Sequence, residues 1–387
     1  MRRSAHSKWS RLPAWLLAVL PVVLAAQPAL QRDGNRWVQT ITGTAPAAGR
    51  LRVSCQGPVH LEGGAANEVT YTARLIVAAR TEAEARQILS RSNIRATTSG
   101  EWTIFSAGGG PVTADLFLQA PRLNAAAIAT SEGTVEANGI DGLLTVDSGA
   151  GEVKCDRIRG DARLTTQGGD IQVGEVAGTL RGATGGGRIV VKNVRGEAVL
   201  QTAGGDIEVA SAGASVRADT AGGAVRVTNA GGAVTATTGG GPIAIGRAGG
   251  IVITRNMAGP VQIGGAPGVR SESGTGAIQL ANIFGSMRVS TAVGSIIASL
   301  LAGSPLSDSF LATGNGDITV LIPSNVGVNI RAENDLADSP RRIICDFPGV
   351  PVRMRGMQVV AEGPVNGGGP LLRITGTGGT IFIRRQP

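Results

Sequence analysis

The sequence predicts an all-β fold: a single-stranded parallel β-helix, or β-solenoid, with eighteen-residue coils. Three observations predict it. Residues 130–263 repeat with a strict period of eighteen. Within each repeat apolar and polar residues alternate, the pattern of a half-buried strand. No repeat carries apolar residues at helical spacing, and a fixed period of this length is the mark of a solenoid, whose repeats bury their apolar faces only by stacking.

The columns of the repeat carry the argument. Thr130, Ser148, Thr166, Thr184, Thr202, Thr220 and Thr238 each open a row, and Asn256 opens the next. Three residues on stand Gly133, Gly151, Gly169, Gly187, Gly205, Gly223, Gly241 and Gly259. Five residues on stand Val135, Val153, Ile171, Ile189, Ile207, Val225, Ile243 and Val261, the expected spine of the core. A second inward column runs Ala137, Cys155, Val173, Val191, Val209, Val227, Ile245 and Ile263. Looser rows follow from Ser273, Thr291 and Thr313.

The row from Thr202 shows how a coil is built. Ile207 and Val209 alternate with Asp206 and Glu208, and Val216, Ala218 and Thr220 alternate with Arg217 and Asp219. Two strands per row follow, with corners at the glycine pair and near Ala212–Ala214. The glycine column marks a corner that needs either positive φ or close backbone approach. The Thr/Ser column is expected to point inward at the corner, where each hydroxyl can donate to the neighbouring coil. Outward columns include Glu152, Asp170, Arg188 and Asp206, and Glu136, Lys154, Gln172, Val190, Glu208 and Arg226. Opposite charges mostly fall on adjacent coils, as cross-strand pairing prefers.

Taken in order, residues 1–26 read as a signal peptide. Arg2, Arg3, Lys8 and Arg11 form a positive n-region, Ala14 to Leu24 is an apolar run interrupted by Pro21, and Ala25-Ala26 offers a cleavage site. The run is short for a membrane span, which needs about 20 apolar residues; an uncleaved anchor is the alternative. Residues 27–50 read as a linker. The β-solenoid domain is expected over 51–387: an irregular N-terminal cap at 51–125, repeat coils at 126–322 and a C-terminal cap at 323–387. The N-terminal cap carries the one convincing soluble helix, Thr81 to Ser90, with Thr81 as N-cap and Glu82 and Glu84 in the first turn. Asp115-Leu-Phe-Leu-Gln-Ala-Pro121 is echoed by Asp317-Ile-Thr-Val-Leu-Ile-Pro323. The closing strands are Arg341–Asp346, Val352–Val360 and Leu371–Arg384.

Composition limits the chemistry. The formal charge is +8, four of it from the first 26 residues, and the remaining basic residues are spread over the rows without interleaved aromatics. That is no nucleic-acid footprint. His6 and His60 are the only histidines, so a His-based metal site is excluded and a triad on His60 is disfavoured. Of the three cysteines, Cys155 falls in an inward column and reads as a buried thiol; a Cys55–Cys345 bridge would have to join opposite ends of a rod. Glu152 and Asp170 would be neighbours on adjacent coils, where two acids can form an acid/base pair or hold calcium. Arg188 stands next in that ladder, and the aromatic fraction of 3% leaves few stacking platforms for a polysaccharide. The Gly-Gly-Asp-Ile pieces at 168–171 and 204–207 resemble a calcium-binding nonapeptide, but Thr134, Arg188, Ala224, Pro242 and Pro260 replace the aspartate in other rows. The Gly-rich corners open strands and carry no lysine, so they are not phosphate loops.

The T-x-G-G-D-I-x-V rows, the leading strand ending in L-x-x-P and the Gly-rich β C-terminus together resemble a bacterial family. It is the exported "putative adhesin" β-solenoid domain of unknown function, related to head-domain auto-transporter adhesins. The resemblance covers roughly residues 50–385 and implies a right-handed solenoid outside the cytoplasm, in the periplasm, envelope or extracellular space. It brings no catalytic residues, metal or cofactor. The expected function is a non-enzymatic structural or adhesin-like protein that presents a repetitive β-face to a protein or glycan partner. The alternative is a carbohydrate-active β-helix using carboxylates on adjacent coils.

Overall fold

The computed structural model describes residues 30–64, 66–92, 94–335 and 342–386; the signal segment with His6 lies outside them. The architecture is the predicted β-solenoid with coils of about eighteen residues. Ile171 pairs with Ile189, Ile189 with Ile207, Ile207 with Val225 and Val225 with Ile243, all in parallel register. The second strand of each coil stacks the same way, Thr166 on Thr184, Thr202, Thr220 and Thr238 in turn. The spine and second inward columns are buried throughout, so like residues fill one continuous aliphatic interior.

Each coil has a third inward position that alternation alone does not reveal. In Ile207–Ala212, Ile207 and Val209 face in, Ala210 and Ser211 both face out, and Ala212 returns to the core. Its column is Ile140, Ile158, Val176, Val194, Ala212, Ala230 and Ala248, all buried. Two consecutive outward residues bend the strand and shift its parity by one, as a one-residue insertion must in a period-two element.

The corner is held by an interlock between the threonine and glycine columns. Thr202 Oγ1 accepts from Gly205 N–H at 3.2 Å and donates to the Gly187 carbonyl of the preceding coil at 2.9 Å. Thr184, Thr220 and Thr238 repeat both bonds with their own glycines. A Cβ on Gly187, Gly205 or Gly223 would overlap the carbonyl of the glycine one coil back. From Gly151 to Gly241 the column needs glycine for this close approach, whereas Gly133 (φ 89°) and Gly259 (φ 100°), where the column begins and loosens, are left-handed.

The N-terminal region runs β1 (Leu30–Asp33), β2 (Arg36–Ala45), β3 (Arg50–Cys55), β4 (Val59–Gly63), β5 (Val69–Ala78), α1 (Glu82–Arg91), β6 (Arg95–Ser99), β7 (Trp102–Ala107), β8 (Val112–Ala120), β9 (Ala125–Thr130) and β10 (Val135–Asn138). Helix α1 has the expected cap: Thr81 Oγ1 accepts from Glu84 N–H at 3.2 Å, and Ala85 and Leu89 are buried. The linker expected at 27–50 is corrected over its described part. β1 and β2 form a hairpin, and β2 pairs antiparallel with β5 along its whole length. Thr40, Thr42 and Thr44 face outward while Trp37 and Ile41 pack on the core, so a strand with one polar face looked like a linker by composition.

At both ends the order along the rod departs from the order along the chain. The coil made by β3 and β4 lies between β7/β8 on one side and β9/β10 on the other. At the far end, Leu371–Gly376 and Ile381–Arg385 lie between the strands Ser309–Asn315 and Ile318–Ile322 and the outer strands Val328–Asn334 and Ile343–Cys345. At the C-terminal end the chain builds the outer coil and then inserts another inside it, whereas at the N-terminal end β3 and β4 come first and β7 and β8 are laid outside them. Antiparallel strands then close the outer coils: β6 on β7, β5 on β8, and Gln358–Val365 on Val328–Asn334. These additions keep exposed strand edges from recruiting another molecule.

Two outcomes are expected. Thr202→Val should destabilise the protein by about 1–3 kcal/mol, the cost of leaving a buried N–H and carbonyl unpaired, and Thr202→Ser should restore most of it; a denaturation midpoint unmoved by Thr202→Val would contradict the interlock. Truncation after Pro370 removes a penultimate coil, so hydrogen exchange should show loss of protection across 328–365 as well. Retained protection there would show that the inserted order is wrong.

Candidate functional site

On the coils, several side chains able to do chemistry are already engaged. Glu152 lies 2.8 Å from Lys154 Nζ, and its other oxygen accepts from Gln172 Nε2 at 2.5 Å. The bond to Glu152 holds the Lys154 ammonium above the usual lysine range. Asp170 Oδ1 accepts from the Arg188 main-chain N–H at 2.8 Å. Glu152 and Asp170 therefore have separate partners. Asp206 binds the Ala224 N–H at 2.7 Å in the same way, and Asp317 the Thr380 N–H at 2.8 Å. The aspartate of the Gly-Gly-Asp-Ile piece thus serves a backbone donor of the next coil. Among the described residues no group of three or more His, Cys, Asp or Glu is placed to hold a metal ion.

The cysteines are free thiols. Burial pushes Cys55 and Cys155 up to about 12, helped by Asp115 and Asp156 respectively. Half-buried Cys345 is also raised, by burial first. At neutral pH the two buried thiols carry almost no thiolate, so they act as small apolar core residues.

A concavity lined by aromatic, hydroxyl and carboxylate side chains lies where the N-terminal cap meets the first coils. There the antiparallel strands β2, β5 and β8 continue the parallel ladder of β4 and β10. Their outward residues fall into two cross-strand rows. One is Thr42, Thr72, Phe117, His60, Glu136 and, on the next coil, Lys154. The other, two residues along each strand, is Thr44, Thr70, Gln119, Glu62, Asn138 and Asp156. A groove of about 550 Å³ runs over these rows from β2 to β10.

His60 is central to it. Its ring stacks on Phe117 with centroids 4.5 Å apart and planes within 6°. Nδ1 lies 3.0 Å from Glu136 Oε2, and Nε2 lies 3.7 Å from Asp115 Oδ1. Arg74 approaches the other Asp115 oxygen at 3.6 Å, and Arg157 holds Glu62 at 2.8 Å. Phe117 and Glu136 thus hold the imidazole, with the Asp115 carboxylate close by at 3.7 Å. Phe117 is 40% exposed, the one aromatic among the large exposed hydrophobics of the described residues. Tyr71 lies across Gly43 beneath the groove and meets Phe105 edge-on at 5.4 Å.

Sequence reasoning did not assemble this site. It weighed His60 for a triad only, and no serine lines the groove. The legible signal was a concentration of scarce residues: Trp37, His60, Tyr71, Trp102, Phe105 and Phe117 all fall within 37–117.

The structural neighbours found by comparison with known proteins include two bacterial proteins. The chain is similar to a "putative cell adhesion protein" from Clostridium sporogenes, at 9% identity over 90% of this chain and 100% of that one, with a TM-score of 0.20. It is also similar to a "putative adhesin" from Bacteroides fragilis, at 11% identity over 90% of this chain and 97% of that one, with a TM-score of 0.22. At such scores the likeness carries no argument about activity. No family model and no curated protein matches the chain.

The aspartate ladder makes a specific expectation. Asp206→Asn keeps an acceptor for the Ala224 N–H and should melt near the wild type, while Asp206→Ala should lose about 1–2 kcal/mol. Calcium or a chelator should leave the melting temperature of all three unchanged. A calcium-dependent shift abolished by Asp206→Asn would restore the calcium-roll reading.

Proposed function

We propose that this chain is an exported, non-enzymatic, adhesin-like scaffold whose role is to hold binding surfaces on a stiff rod. One observation carries the reading: the repeat's polar side chains are committed to joining coils. The threonine hydroxyls bind two glycines each, and the aspartates bind next-coil N–H groups. Catalytic groups need a proton or an electron pair free for substrate, and the coil carboxylates hold partners instead. What the rod offers its surroundings is outward faces of charge pairs, such as Arg226 with Glu208 at 3.1 Å.

Export rests on the composition of residues 1–26, with their basic start, apolar run and small-residue end. Among the described residues no helix is long and apolar enough to cross a membrane. A periplasmic, envelope or extracellular location agrees with a fold that ends in added antiparallel strands at both ends of its parallel ladder.

Fractionation of cells is expected to place the chain outside the cytoplasm. The purified protein should release no reducing ends from a panel of acidic and neutral polysaccharides, and Glu152→Gln and Asp170→Asn should behave as the wild type. Turnover that disappears in either variant would overturn the non-enzymatic reading in favour of a glycan-cleaving β-helix.

A further inference from the structure

We infer that the groove over β2, β5, β8, β4 and β10 binds a neutral oligosaccharide, with Phe117 as the platform for one sugar ring. The inference rests on the scaffold reading above and names a ligand class and a site for it.

Size and shape come first. A groove of about 550 Å³ lies in the range of small-molecule sites. It is elongated across the strands, which step by about 4.8 Å, a length comparable with one pyranose unit. It therefore suits a short chain of sugars better than a single compact molecule.

The lining then selects the chemistry. A pyranose has an apolar C–H face and a rim of hydroxyls. The groove offers Phe117, a residue 40% exposed with one ring face stacked on His60, beside the Thr72 hydroxyl on the adjacent strand and lined further by Thr42 and the amides of Gln119 and Asn138. Phe117 is held by its stack on His60, and His60 is in turn held by Glu136 at 3.0 Å, so the platform is set before a ligand arrives. Pre-organisation of this kind lowers the ordering cost of binding. Glu136 and Glu62 can still accept from sugar hydroxyls through oxygen lone pairs their partners leave free.

Other ligands fit worse. Of the groove carboxylates, Glu62 is paired with Arg157 and Glu136 is engaged by His60 at 3.0 Å, so neither is left open to a cationic ligand, and an anionic ligand would meet both. An extended peptide would need an unpaired strand edge, but β5, β8, β4 and β10 are paired on both sides. Nucleic acid would need cations along its backbone, and the groove lining contains no lysine or arginine.

The experiment is calorimetric titration of the purified protein with cellotriose, N,N′,N″-triacetylchitotriose and maltotriose, with saturation-transfer NMR on the sugar protons. At least one should bind with a dissociation constant on the order of a millimolar or tighter. Phe117→Ala and Gln119→Ala should each weaken that binding at least tenfold, while Phe382→Ala, on the far end of the same face, leaves it unchanged. Phe117 and Gln119 are exposed, so unaltered melting of both variants will confirm intact folding. Binding that survives both substitutions would overturn the site while leaving a glycan-binding scaffold in place. Absence of binding by all three sugars would overturn the neutral-sugar assignment, without touching the non-enzymatic reading. Binding lost with Phe117→Ala but accompanied by cleavage would uphold the groove and overturn the non-enzymatic reading instead.

Discussion

The fold depends on one repeated contact: a threonine hydroxyl that accepts from its own coil's glycine N–H and donates to the glycine carbonyl of the coil before. Strand ladders alone set the distance between coils, but they do not satisfy the backbone where it turns. At the corner the hydroxyl supplies the missing partner in both directions. Glycine is needed because the preceding coil's carbonyl already fills the space a Cβ would take. Threonine and glycine are therefore one device, and neither column is useful without the other. Buried polar groups are tolerated when paired in this complete way.

The same logic explains why the interior contains so little besides Val, Ile, Leu and Ala. A narrow coil offers each side chain one layer of thickness, and identical residues stacked at the strand spacing pack against their own copies. The larger aromatic residues gather at the ends, where the regular cross-section gives way. There the order of coils along the rod departs from the order along the chain, antiparallel strands extend the outer coils, and helix α1 buries Ala85 and Leu89. The last described strand, Ile381–Arg385, is clamped between two others, while β1 stays at an edge on β2.

The groove belongs to this irregular end. It exists because antiparallel strands continue a parallel sheet and bring together outward residues from five segments far apart in the chain. Thr42, Thr72, Phe117, His60 and Glu136 share a row only through that pairing. On the regular coils, by contrast, outward residues neutralise one another between neighbours. The division is physical: uniform coils favour self-satisfying ladders, and a break in uniformity leaves side chains available to a ligand.

Period, strand pattern, the identity of the buried columns, the hydroxyl bonds and the Thr81 cap were legible in the residues, because each depends on neighbours at short or fixed spacing. Ile171, Ile189 and Ile207 had to stack once the eighteen-residue period was real. The parity shift that buries Val194 and Ala212, the close approach that requires Gly205, the strand hidden in 36–45 and the reversed order of the terminal coils were decided only in three dimensions. So was the groove around His60, since cross-strand register between segments sixty residues apart leaves no periodic trace. A repeat writes its local rules into every row; which irregular strand meets which is settled by burial and backbone pairing across the whole rod.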